Sequence, residues 1–600
     1  MSSKPTLPAA RPRSRPRGLE GGSSSAQLQR RIALLEHEAK ALEAQIRGMQ
    51  RSTSWRITAP LRWLSGYVQR IVRGAPIREN VERGDYTRWI ERYDKPAPGD
   101  YDRLRNEIDA WPKRPRLLLL HEGELDMGFL DAQAYQCWTQ RRIESSPKPI
   151  EAAASADWVI WLEAGCALAP HALYTIALQI AAYPQARLIY ADEDELDASG
   201  RRTHPFFKPD WNPDLFLGRN LFSPWVAIEA GLFDEAGGIQ LKPSAAARGL
   251  DLALRCVERV RDEQILHVPR VLAHCRASRP DGGTDGAIAL NAHFERTGIA
   301  ATAEATPFGY RTHYALPAMP PLVSLVIPTR NALPLVRQCI ESIVLETDYP
   351  HYEILLVDNG SDDPEALAYF AELDAQPGIT VVRDERPFNY SALNNAAVAR
   401  AQGELVALLN NDIEVVSPDW LSEMVSIALQ PGVGAVGAKL LYPDFSVQHG
   451  GVILGVGGIA GHAHKHLARS DPGHGGRAQL MQSFSAVTAA CLVVRKSLYE
   501  QVGGLDEAHL GVAYNDVDFC LRLRQSGLRN VWTPWAELLH HESASRGLEI
   551  AAESRSRLAA EAAIMRSRWS PLIANDPAYN PNLTLDTEDF DLAWPPRLPP

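Results

Sequence analysis

Three places in this sequence hold side chains that could do chemistry. Asn410-Asn411-Asp412 directly follows the apolar run "ELVALL", so a carboxylate stands where a buried strand should end; capping the next turn is its plainer role. Asp516 and Asp518 sit in "YNDVDFCLR" beside the apolar Val517, Phe519 and Leu521, which does not resemble a solvated helix face. Either acid could take a proton as a general base, and Asp518 could instead pair with Arg522, four residues on along a helix. His462, His464 and His466 alternate in "GHAHKH" as on a strand. Zinc would need a full set of N, S or carboxylate ligands, and no cysteine or acid is near enough in sequence to complete one. The dense glycine of this stretch reads as a mobile loop over a site, with His449 and His462 as candidates for substrate contact.

The elements that must position these groups follow from hydrophobic pattern. "LVSLVIPT" is an apolar strand-like run that stops at Pro328, and a helix of 3.6 period follows through Val336, Ile340, Ile343 and Val344. "YEILLVD" then supplies a second buried strand. Strand–helix–strand order predicts a parallel, doubly wound sheet. Ligands on such sheets bind beyond the carboxyl ends of the strands, where Pro328–Arg330 and Asp358–Gly360 stand.

"LVSLVIPTRN" followed by "EILLVDNGSDD" resembles the opening of a family 2 glycosyltransferase, an inverting enzyme with the A-type nucleotide-sugar fold. The resemblance continues in order through "PFNYSALNNAAVARAQGELVALLNND", "VTAACLVVR", "GGLDEAHLGVAYNDVDFCLRLRQSG" and "HHESASRG". It implies a nucleotide-sugar donor and a divalent cation, Mg²⁺ or Mn²⁺, to offset the charge growing on the diphosphate. By the same resemblance, Asn410-Asn411-Asp412 occupies the Asp-x-Asp position with only its last carboxylate retained, making Asp412 a metal ligand and His540 a second. Asp358 matches the aspartate that reads the nucleobase, and Pro328, Thr329, Asn394 and Asn411 are expected in the same nucleotide pocket. Asp516 matches the general base, with Asn515 where the family more usually has Glu. For Asn394 the plainer role is that of a helix-start residue.

The first half carries "ARLIYADEDELDASGRRTHPFFKPDWNPDLFLGRN", "GLDLALR" and "HVPRVLAHCR", which resemble motifs of the same family. It is read as a degenerate copy. "LEAGCAL" stands where an acidic run is expected, so Gly165 and Cys166 replace the metal aspartates, and Gly249 replaces the base, leaving Asp251. Asp192, Glu193 and Asp194 follow the helix instead of preceding it, which suits a structural or solvated role. This half is expected to be a noncatalytic platform.

The expected fold class is therefore α/β, with two A-type glycosyltransferase-like domains in tandem (Rossmann-like, mixed sheet) at 116–309 and 317–548, followed by a C-terminal helix and extended tail at 549–600. Before them, residues 1–25 read as a disordered basic tail. Residues 26–50 carry a heptad seam from Leu28 to Met49 that offers a route to oligomers, or a lone packed helix. Residues 51–74 form a basic amphipathic helix with Arg62, Arg70 and Arg73 opposite Leu61, Leu64 and Val68. It suits peripheral contact with an anionic membrane surface, or docking on the protein itself. Residues 75–115 read as a linker with a short helix at Tyr86–Tyr93.

Over 600 residues the net charge of −11 argues against a general nucleic-acid binder. No apolar run approaches the length of a membrane span. The seven cysteines are scattered without a CxxC pair, which predicts neither a zinc ribbon nor a disulfide framework and suits a reducing cytoplasm, at the inner face of the plasma membrane. The sequence thus points to transfer of a sugar to a saccharide or lipid-linked acceptor in bacterial cell-surface polysaccharide synthesis. The competing reading is a noncatalytic saccharide- or nucleotide-binding subunit.

Overall fold

A computed structural model describes residues 85–598, apart from 96–98, 112, 124–126, 144–154, 241–243, 277–282 and 542–551. The expected tail, coiled coil and basic helix lie outside the described residues. Asn80–Pro600 form one compact unit, which opens with helical turns at Tyr86–Trp89 and Ile90–Asp94.

Val323–Thr329 is buried at every position, as a strand covered on both faces must be. It anchors a mixed sheet whose order across the fold is Ile379–Arg383, Tyr352–Asp358, Val323–Thr329, Leu405–Leu409, Cys491–Arg495, Val433–Leu441, Arg529–His540 and Ile413–Val415. The first four run parallel. Cys491–Arg495 opposes both of its neighbours, and Ile413–Val415 opposes Arg529–His540. This is the α/β mixed-sheet, A-type arrangement expected for the second half.

The first half repeats seven of those eight strands in the same order. Its order is Trp138–Arg142, Leu117–His121, Trp158–Leu162, Trp225–Glu229, Leu188–Leu196, Ile265–Cys275 and Cys166–Leu168, with the same sense of pairing at each step. Among the described residues, no strand flanks Trp138–Arg142 as Ile379–Arg383 flanks Tyr352–Asp358.

The two sheets do not have separate interiors. The core around Phe484, Trp532 and Phe519 takes in Phe207 and Val271 from the first half. Asp214 pairs with Arg529 at 2.8 Å, and Asn212 bonds the main chain of Ser483 at 2.8 and 3.0 Å. After the helix Ala552–Ala574, the C-terminal tail binds both sides. Asp576 accepts from Leu454 N and Ser485 Oγ, while Asn580 donates to Asp192.

Asp192 and Asp194 are structural, as their place after the helix suggested. Asp192 accepts from His267 at 2.8 Å, and Asp194 from His274 at 2.5 Å and Arg202 at 2.5 Å. Burial alone would keep His267 neutral, but Asp192 and Asp210 outweigh it and raise its pKa to about 9.

Candidate active site

Strand register builds one side of the site. After Leu405–Leu409 the chain turns through Asn410-Asn411-Asp412 and returns as Ile413–Val415, with Ile413 opposite His540. That register sets Asp412 Oδ1 3.2 Å from His540 Nε2. His540 Nδ1 is 2.6 Å from Gln448 Oε1, while Gln448 Nε2 donates to the His540 carbonyl at 3.3 Å. The amide is thereby oriented, Nδ1 carries the proton, and Nε2 is an acceptor. Asn410 Nδ2 faces that acceptor at 3.1 Å. Asp412 Oδ1 is buried and has no hydrogen-bond partner, because its approach to His540 is not in line with a donated proton.

A buried carboxylate oxygen without a donor, 3.2 Å from an imidazole nitrogen, suits a cation. Among the described residues no cluster of three or more His, Cys, Asp or Glu forms a ready metal cage. Mg²⁺-type sites commonly use one or two carboxylates and complete the shell with substrate phosphates and water, and Asp412 would supply the carboxylate with His540 as a nitrogen ligand beside it.

The opposite side is set by the helix Asn515–Gln525, which starts after Tyr514 in the left-handed region at φ 59°. Asp516 accepts from Ala489 N at 3.0 Å and Val517 N at 2.8 Å and remains partly exposed. Ala490 O accepts from Asn410 N at 3.0 Å, so the Ala489–Ala490 segment ties the helix start to the strand end. Asp518 points the other way. It is fully buried against Arg522 at 2.8 Å, Arg568 at 3.1 Å and Trp569 at 3.0 Å, which makes it an anchor and leaves Asp516 as the partly exposed carboxylate of the two.

The histidines separate as well. His462 donates from Nδ1 to Gln448 O at 3.0 Å and lies edge-on to His449, with centroids 4.7 Å apart. Burial lowers the pKa of both. His464 instead stacks on Phe590 and His466 on Tyr442, so the three alternating rings do not converge. The glycine-rich stretch is a packed hairpin, Val452–Leu454 with Ala460–His462, where an open mobile loop was expected. The many apolar residues between the glycines have somewhere to bury.

On the nucleotide side, Pro328 and Thr329 end their strand, and Asn411 Nδ2 donates to Thr329 Oγ1 at 2.9 Å. Asp358 is already engaged by Ser361 N at 2.9 Å and by the Arg383 guanidinium. A base reading Asp358 would have to share it with Arg383. Asn394 does not line this cleft: it is fully enclosed, and its Nδ2 donates to Tyr390 O of its own helix at 2.8 Å. Arg383 and Gln448 were missed by sequence reasoning, since a lone Arg or Gln carries no spacing signal.

With this geometry in place, comparison with known proteins is decisive. Residues 324–503 match the description "Glycosyl transferase family 2". The chain carries a family 2 glycosyltransferase domain. It is 45% identical over 466 residues to an uncharacterized protein, y4gI, of Sinorhizobium fredii, covering 75% of this chain and 51% of that protein. It is 39% identical over 462 residues to the O-antigen biosynthesis protein RfbC of Myxococcus xanthus, covering 74% of this chain and 35% of that protein. The N-acetylglucosaminyl-diphospho-decaprenol L-rhamnosyltransferase of Mycobacterium tuberculosis is 27% identical over 251 residues, covering 38% of this chain and 79% of that protein. The chain thus spans about half or less of the first two relatives.

The first-half sheet carries different residues at the corresponding positions. Cys166 pairs with Cys275 where Ile413 pairs with His540, so register makes Gly165 the counterpart of Asp412 and Glu163 that of Asn410. The sequence reading had placed Cys166 one position too early. At Gly249, a Cβ would lie 2.9 Å from Trp161 Nε1 and 3.2 Å from Glu163 Oε1, so the space for a base is filled. Cys166 and Cys275 form a disulfide, with S–S 2.14 Å and 109 residues apart in sequence. Cysteine spacing predicted no disulfide framework, and this single pair forms because register brings the two together. Cysteine spacing therefore no longer argues for a reducing compartment.

Asp251 pairs with Arg255 at 2.7 Å, as Asp518 pairs with Arg522. Asp251→Asn should leave turnover of the folded enzyme intact. It should cost about 3–5 kcal/mol of stability, because the buried Arg255 charge loses its partner. Thermal unfolding and initial rates check both; a turnover loss like that of second-half variants would overturn the noncatalytic assignment.

Proposed function

We propose that this protein transfers a sugar from a nucleotide-sugar donor to a saccharide or lipid-linked acceptor, with inversion at the anomeric carbon, in O-antigen-like cell-surface polysaccharide synthesis. The observation that carries this is the buried, unpartnered Asp412 Oδ1 facing the acceptor nitrogen of His540, tied by Ala489–Ala490 to a partly exposed Asp516. In the proposed reaction Asp516 takes the proton of the acceptor hydroxyl as its oxygen attacks the anomeric carbon. The bond from that carbon to the diphosphate breaks and the nucleoside diphosphate leaves. A divalent cation held by Asp412 and His540 would offset the charge on the diphosphate. Pro328, Thr329 and Asn411 would position the nucleotide at the carboxyl ends of their strands, with Asp358 sharing its carboxylate between the base and Arg383.

The names of the Myxococcus and Mycobacterium relatives support a polysaccharide product and a deoxyhexose donor. No described helix is long and apolar enough to cross a membrane. The proposed setting is the cytoplasm, peripheral to the inner face of the plasma membrane.

Asn410 in place of the first metal aspartate favours the second reading, a noncatalytic saccharide- or nucleotide-binding subunit. Incubating the full chain with a panel of nucleotide sugars, with Mn²⁺ or with a chelator, separates the two. Chelator-sensitive release of nucleoside diphosphate from one donor supports the enzyme. Donor binding without any release, even with acceptor saccharides added, supports the subunit.

A further inference from the structure

Gln448 lies on the short strand Val447–His449, 2% exposed, between the two sides of the site. It holds two imidazoles by different atoms. Its side-chain oxygen accepts from His540 Nδ1 at 2.6 Å, and its main-chain carbonyl accepts from His462 Nδ1 at 3.0 Å. A neutral imidazole has one donor nitrogen and one acceptor. Both rings are therefore fixed with the proton on Nδ1 and the lone pair on Nε2. In His540 that lone pair faces Asn410 Nδ2 at 3.1 Å, beside Asp412 Oδ1 at 3.2 Å, and the other tautomer would present N–H there and exclude a cation. The second Gln448 bond, Nε2 to the His540 carbonyl at 3.3 Å, removes the alternative amide orientation that would make this possible.

We propose that Gln448 is a positioning residue of the transfer site: its side chain turns His540 toward Asp412 as a cation ligand, while its carbonyl holds His462 in the matching tautomer. Partners of this kind, one bond behind a metal-ligating histidine, typically contribute 10–100-fold to metal affinity. The inference rests on the cation reading of Asp412 and His540, and the test separates the two.

Gln448→Met keeps the volume and the main-chain carbonyl but removes the side-chain acceptor. Gln448→Glu restores an acceptor for Nδ1–H. Mn²⁺ binding to the full-length chain, followed by the loss of the free-ion resonance, is expected to weaken about 10–100-fold in Gln448→Met and to stay near native in Gln448→Glu. In the metal-free protein, ¹⁵N spectra assigned with His540→Asn and His462→Asn should show His540 losing its fixed Nδ1–H form in Gln448→Met. His462 should keep it, since its partner is main chain. Native Mn²⁺ affinity in Gln448→Met, with an unchanged His540 tautomer, overturns the inference while leaving the cation reading intact. If the native chain binds no Mn²⁺, the cation reading falls; positioning then stands or falls on whether the His540 tautomer changes. Should Gln448→Met not fold, Gln448→Glu decides: loss of Mn²⁺ binding in that folded variant overturns the proposal.

Discussion

Asp516→Asn is expected to lower kcat by about 10²–10⁴-fold, the usual contribution of a positioned general base, while donor affinity stays near native. A base acts in the transition state, so its removal should leave ground-state donor binding alone. The structure adds a constraint on the choice of variant. Both Asp516 oxygens accept main-chain N–H groups, from Ala489 and Val517. Asn keeps one acceptor, so the helix start and the Ala489–Ala490 segment lose one hydrogen bond and about 1 kcal/mol of stability. Ala would lose both and disturb the strand end at Asn410. Single-turnover kinetics with calorimetry of donor binding provide the measurement. A drop in donor affinity that matches the drop in kcat would show that Asp516 binds substrate and is not the base.

Asp412→Ala should fail in a different way. It removes the carboxylate facing His540, so Mn²⁺-dependent donor binding should weaken by roughly 100-fold or more, at least the scale of losing a ligand's outer partner, and turnover should fall with it. Stability should change little or improve, because Asp412 Oδ1 is a buried acceptor without a partner in the metal-free protein. Donor titrations with and without Mn²⁺ check this: the two isotherms, distinct for the native chain, should coincide for the variant. If Asp412→Ala keeps metal-dependent donor binding while Asp516→Asn loses it, the two carboxylates have been assigned the wrong way round. If neither variant changes activity, the active site is elsewhere.

The α/β character of the second half, and the placing of Asp412 at a strand end and Asp516 at a helix start, were legible in the sequence. Apolar runs as short as "LVSLVIPT" and "ELVALL", each stopped by a polar or proline residue, read as buried strands, and a polar residue that directly follows such a run is placed at the strand's end by covalent connection alone. The repeat of whole motifs likewise needs no tertiary information. Asn394 and Asp358 show where that logic weakens. Both belong to the right segment, but helix phase turns Asn394 inward, and a neighbouring strand brings Arg383 onto Asp358.

What only the tertiary structure decided was pairing across large sequence distances. Asp516 and Asp518 are equivalent in composition and two residues apart; the packing of Arg568 and Trp569 from the C-terminal helix against Asp518 is what makes one an anchor and leaves the other partly exposed. Gln448 and His540 are 92 residues apart and Cys166 and Cys275 109, and each pair meets through strand register, which depends on how whole strands bury their faces. Local pattern fixes which residues reach the end of a strand or the start of a helix, because that depends on near neighbours. Which of those residues face each other, and which proton sits between them, depends on the sheet order and on the packing of distant elements, and that is set only when the chain closes on itself.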